Sequence, residues 1–142
     1  MLEESAYLFV YGTLRDDSVN HMAHFLKANA LAKGKAFIYA KLYKITWYPA
    51  VVLDPSSTFK VYGDIYELPL ASREKVLHEL DGYEGIYNSN EESEEYERVL
   101  TTATLDNGNT LDCWVYNYKA SVENTEWIKS GDFLMALRES RN

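Results

Sequence analysis

The first patterned stretch of the chain, "AYLFVY" at residues 6–11, breaks at once into Gly-Thr and then into the charges of Arg15, Asp16 and Asp17. Six aromatic, aliphatic or small residues in a row are too few for a helix and have no polar side, so they read as a strand buried on both faces. The break comes at Gly12. The remainder of the chain must supply neighbouring strands and cover for them.

After "RDDS" a helical period sets in, with Val19, Met22, Phe25 and Leu26 on one side and Ser18 as the N-cap. Gly34 leads into "KAFIYAKLYKITWYPAVVLD", which reads as a strand, a bend at Pro49 and a second short extended piece. "FKVYGDIYELP" alternates as a further strand that Pro69 ends. Ser72 then caps "REKVLHEL", with Val76, Leu77 and Leu80 on one helical face, and Gly82 stops it. Residues 91–97, "EESEEYE", are too acidic to pack and read as a solvated loop entering a strand.

"YERVLTTATL" and "TLDCWVYNY" flank "DNGN", a hairpin signal because Asn and Gly tolerate positive φ. The closing "SGDFLMALRESRN" reads as a helix capped near Asp132. Strands of five to eleven residues with aromatics on both faces, together with three short helices, predict an α+β fold, a small mixed β-barrel with peripheral helices. At 142 residues the chain fits one domain, residues 1–142, large enough to bury a core unaided.

A hydrophobic share of 46% and a charged share of 25% match a soluble globular protein. The formal charge of -8, 22 acidic residues against 14 basic, argues against a phosphate-tracking surface, so nucleic acid is not an expected partner. A small anionic ligand held by local donors stays open. Cys113 is the only cysteine, so no intrachain disulfide can form and nothing requires an oxidising compartment. The acidic N-terminus lacks a charged-then-apolar leader and no apolar run nears the ~20 residues of a membrane span, which places the expectation in the cytoplasm, away from membranes. Oligomeric state is not legible.

Three places could carry chemistry. In "YGTL", Tyr11 to Leu14, the Gly lets a ligand approach the main chain, and successive N–H groups in such a turn suit a carboxylate or a developing oxyanion. Four residues do not separate this from a plain strand-ending turn. In "LDGYEGIY", Glu84 stands between Tyr83 and Gly85, where partial desolvation would raise its pKa toward the range of an acid–base catalyst; a solvated loop carboxylate is the ordinary alternative. In "YERV", Tyr96 and Arg98 lie two apart on a strand and face the same side, so Arg98 could hold an acidic neighbour and Tyr96 could donate a hydrogen bond, unless the pair is a sheet-face contact.

His21 and His24, three apart on the first helix, lack a third ligand at a helpful spacing, so no metal is expected. Cys113 alternates with Leu111 and Val115 as an apolar filler. No P-loop, dinucleotide fingerprint or GxSxG is present.

In order, "FVYGTLR", "YPAVV", "VYGDIYEL", "LDGYEG", "YERV" and "WVYNY" resemble the gamma-glutamylcyclotransferase-like family, including its AIG2-like and gamma-glutamylamine cyclotransferase branches, from about Tyr7 to Tyr118. The resemblance implies a barrel with a cavity at its mouth, a substrate-binding loop at Tyr11, Gly12, Thr13 and Leu14, and a catalytic glutamate at Glu84. It adds Tyr96, Arg98 and Tyr116 as further substrate-site residues. It implies an enzyme of transferase or lyase type that takes a small-molecule gamma-glutamyl substrate, releases 5-oxoproline and a free amine, and needs no cofactor. A non-catalytic module binding a metabolite or peptide end on the same fold is the alternative. An acidic rim at 91–97 would favour a cationic leaving amine.

Overall fold

The computed structural model describes residues 6–12, 21–45, 48–54, 56, 58–83, 96–123, 125–133 and 135. Within them the strands are β1 (Tyr7–Val10), β2 (Leu31–Ile45), β3 (Tyr48–Leu53), β4 (Lys60–Glu67), β5 (Tyr96–Leu105), β6 (Thr110–Tyr118) and β7 (Glu126–Trp127), and the helices are α1 (His21–Asn29) and α2 (Arg73–Tyr83). Strands pair in the order β1-β4-β2-β3-β6, and β6 returns to β1, which closes a five-stranded barrel. β6 runs parallel to both β1 and β3, whereas the other pairings are antiparallel. The expected mixed barrel is therefore present, with β5 and β7 added to its outside.

β1 shows why the fold closes. Its alternate residues enter two different cores: Phe9, followed by Tyr11, belongs to a cluster on the inner face of the barrel with Ile38, Leu42, Ile65 and Val115. Leu8 and Val10 belong to the second, beneath the helices, with Leu26, Val76, Leu77 and Leu80. A strand with no polar side finds cover in both directions. Each fully buried aliphatic or Phe side chain in these cores contributes about 1.5–3 kcal/mol relative to exposure, before conformational entropy is set against it.

The β5–β6 hairpin has the boundaries that the two alternating runs predict. Thr104 pairs with Thr110 across the turn, Gly108 takes φ +90, and the Asn107 side chain accepts a hydrogen bond from the Asn109 N–H at 2.9 Å. Ser72 stands at the start of α2, where its carbonyl accepts the first helical bond from Val76 N–H at 2.9 Å. Residues 133 and 135 are helical, and the Asp132 carboxylate accepts from Met135 N–H at 3.1 Å, as a cap there requires. The expected cap Ser18 and the acidic segment at 91–95 lie outside the described residues.

Three details differ from the expectation, the first being that α2 runs through Gly82 to Tyr83 instead of stopping at the glycine. Pro49 is inside β3, paired with Lys44, and the chain reverses between Ile45 and Tyr48 instead. One residue from the strand's start, a missing N–H is tolerated. Likewise β2 begins at Leu31, ahead of Gly34; a bulge between Ala32 and Gly34 absorbs the glycine, whose φ is +126. At the other end of β2, the two-residue strand β7 is held by more than its ladder: Trp127 packs edge-on against Phe59 at 4.7 Å, with Lys41 over both rings. No helix among the described residues is long and apolar enough to cross a membrane.

Candidate active site

Because β1 and β6 are parallel, with Leu8 beside Trp114, both strands deliver their C-terminal ends to the same side of the barrel. β5 runs antiparallel to β6 and sets Arg98 opposite Tyr116 and Tyr96 opposite Tyr118. Tyr11, Gly12, Tyr96, Arg98 and Tyr116, far apart in sequence, thus gather at one end. Thr13, Leu14 and Glu84 lie outside the described residues. They come directly after Gly12 and after Tyr83, the last residue of α2.

Gly12 is needed here for close approach. A Cβ at this position would stand 2.5 Å from Pro49 Cγ, so the end of β1 lies against the start of β3. The Tyr96 hydroxyl donates to the Pro49 carbonyl at 2.7 Å and fixes the surface against which Gly12 packs. Its ring meets Tyr118 edge to face at 5.3 Å.

The centre of the polar cluster is a residue that none of the sequence motifs singles out for chemistry. Asp81, on α2, is 3% exposed. Arg98 grips it with both arms of the guanidinium, Nε to Oδ1 at 2.8 Å and Nη2 to Oδ2 at 3.0 Å. The Tyr116 hydroxyl donates to the same Oδ1 at 2.7 Å. Arg98 is itself stacked over Trp114, 4.4 Å from the ring centre, and the Trp114 indole N–H is buried with no hydrogen-bond partner among the described residues. A buried carboxylate needs such compensation, since desolvating a charge without partners costs several kcal/mol.

Tyr116 is tied in two directions. Its hydroxyl reaches Asp81, and its backbone carbonyl accepts from the Tyr11 hydroxyl at 2.8 Å. The end of β1 and the end of α2 are therefore joined through one residue of β6. The polar groups of Tyr96, Arg98 and Tyr116 that these bonds use face protein partners. The ability of Arg98 to hold an acidic neighbour is realised in Asp81.

A model of the family described as Gamma-glutamyl cyclotransferase, AIG2-like, matches residues 8–135. The chain belongs to this family. Among AIG2-like relatives it is 30% identical over 128 residues to MJ1514 of Methanocaldococcus jannaschii, which is provisionally named a gamma-glutamylcyclotransferase, covering 89% of this chain and 94% of that one. Its fold matches YkqA of Bacillus subtilis with a TM-score of 0.71 at 25% identity, over 97% of this chain and 43% of YkqA. It also matches a mouse AIG2-like protein with a TM-score of 0.64 at 23% identity, over 85% of this chain and 82% of that one.

For this AIG2-like chain, one signal in the sequence could have found Asp81, which the motifs missed. It lies four residues after Leu77 and next to Leu80, on the buried stripe of α2, where a carboxylate has to find a cation. The partner itself could not be read from the spacing. Of the two histidines weighed as metal ligands, His24 is exposed, and the side chain of His21 lies outside the described residues.

Proposed function

We propose that this AIG2-like protein is a gamma-glutamyl cyclotransferase that closes 5-oxoproline from a gamma-glutamyl amine or amino acid. The α-amine nitrogen of the glutamyl group attacks its own γ-carbonyl carbon. A C–N bond to that nitrogen forms, the γ-amide C–N bond breaks, and the former amide nitrogen leaves as a free amine. Glu84 takes the proton shed by the attacking amine and returns it to the departing nitrogen, so one carboxyl serves both transfers and no net proton is consumed.

Nucleophile and electrophile belong to one molecule, so the protein's main task is to hold the flexible glutamyl chain in its cyclising shape. Main-chain donors from Gly12 to Leu14 would grip the α-carboxylate or steady charge on the γ-carbonyl oxygen. The observation that supports this reading most is that the Tyr11–Gly12 end of β1 and the α2 end that leads into Glu84 are tied to the same residue, Tyr116.

The test is to incubate the purified protein with a panel of gamma-glutamyl amines and amino acids, with cationic and neutral leaving groups, and to measure 5-oxoproline. Glu84→Gln, close in shape but unable to cycle a proton, is expected to lose turnover by roughly 10²-fold or more, the scale of general acid–base catalysis, while keeping its fold and its affinity for substrate. Full turnover in that variant would remove Glu84 from the role. Binding without 5-oxoproline release by the unaltered protein would favour the non-catalytic module.

A further inference from the structure

We infer that Tyr11, Tyr116 and Asp81, with Arg98 clamping Asp81, form a strut in series that sets the separation between the backbone at Gly12 and the C-terminal turn of α2, the turn that Glu84 follows in the chain. The inference rests on the reading of Glu84 as the acid–base group. The links are Tyr11 hydroxyl to Tyr116 carbonyl at 2.8 Å, and Tyr116 hydroxyl to Asp81 Oδ1 at 2.7 Å. Each terminal link lies close in the chain to a proposed working group: Tyr11 precedes Gly12, and Asp81 precedes Glu84 by three residues.

The strut is built to be stiff. Asp81 is 3% exposed, Tyr116 3% and Tyr11 7%, so bulk water cannot readily substitute for either phenol. The two-armed grip of Arg98 fixes the plane of the carboxylate and not only its position, and Trp114 backs the guanidinium from its face. None of these groups has to touch substrate. Their effect is on geometry, and geometry is what an intramolecular cyclisation depends on: a base displaced by about 1 Å can cost on the order of 10²-fold in rate. Asp81, Tyr116, Tyr11 and Arg98 are thus positioning residues.

Links in series have a signature that independent contacts lack. Tyr11→Phe and Tyr116→Phe each remove one hydroxyl at nearly constant volume, so each cuts one link and leaves both cores filled. Each is expected to lower kcat by roughly tenfold or more with KM nearly unchanged, and the double variant should be no slower than the slower single, because a series connection is already broken by one cut. Arg98→Lys, which keeps the charge but loses the fork, should show the same kcat-weighted loss.

A second readout does not depend on turnover. In Tyr116→Phe, amide hydrogen exchange should rise at Asp81, Gly82 and Tyr83 while the β5–β6 ladder keeps its protection. Multiplying losses in the double variant, or unchanged kcat in either single one, would overturn the strut as a device of catalysis. Unchanged exchange at residues 81–83 would overturn it as a physical link. If the unaltered protein releases no 5-oxoproline from any substrate in the panel, the proposed function fails, and the exchange experiment alone decides whether the strut exists.

Discussion

Arg98 and Asp81 illustrate how unevenly a buried ion pair responds to its two possible disruptions. Their side chains are 23% and 5% exposed, so the pair sits mostly out of water and screening by salt is weak. Arg98→Met would leave the Asp81 charge buried without its guanidinium and is expected to destabilise the fold by about 3 kcal/mol. Adding Asp81→Asn should recover part of that loss, because the stranded charge goes with it; urea unfolding of the two singles and the double measures the coupling. Equal and additive losses would mean that the pair is ordinary surface electrostatics. By contrast, Lys33 and Glu67 meet at 3.6 Å with 45% and 35% of their side chains exposed, and a variant there should change stability little.

At the scale of elements, the packing of β1 against β4 leaves no room for a side chain at Gly63. A Cβ there would collide with the Val10 carbonyl oxygen and press on the Phe9 ring at 2.7 Å. Backbone, not a flexible side-chain tip, blocks the space, and all four residues of β1 are held in register against β4, from Tyr7 opposite Glu67 to Val10 opposite Asp64. Gly63→Ala is therefore expected to lose about 1–3 kcal/mol, visible as a lower melting temperature. The same push on β1 would shift Tyr11 and Gly12, so turnover should fall further than the stability change alone explains. At Gly108, φ +90 falls in solvent with nothing near the missing side chain. Substitution by Ala there should cost only the strain of the turn, about 1 kcal/mol, and leave turnover intact.

For the whole molecule, closure of the barrel has a consequence that Cys113 reports. The thiol is fully buried in the inner core. Burial, with a smaller push from the Asp112 carboxylate, drives its pKa from 9.0 up to about 12. The folded state thus holds the neutral thiol where the unfolded chain would already ionise. Its stability contribution is complete below pH 9.0 and is lost as pH rises from there toward about 12. Unfolding experiments across that window should show the decline, and Cys113→Ala, after its own cavity cost, should show a shallower one. At neutral pH a thiol-specific reagent should label Cys113 only at the rate at which the barrel opens. Fast labelling of the folded protein would contradict a packed interior.

Much of this molecule was determined by sequence alone, because alternation and turn chemistry act over a few residues. The β5–β6 hairpin is defined by "YERVLTTATL", "DNGN" and "TLDCWVYNY". The two-sided burial of β1 comes from a run with no polar side, and the family from motifs spaced along most of the chain. Tertiary structure alone decided the partners. Asp81 is one acidic residue among 22 until the fold sets Arg98 beside it across 17 positions and Tyr116 across 35. Tyr11 meets the Tyr116 carbonyl across 105. Pro49, too, reads as a bend until β2 supplies a neighbour that can do without its N–H. Local pattern specifies which face of an element is buried; which charge or hydroxyl waits on the other side depends on how the barrel closes, and that information is carried by no single segment.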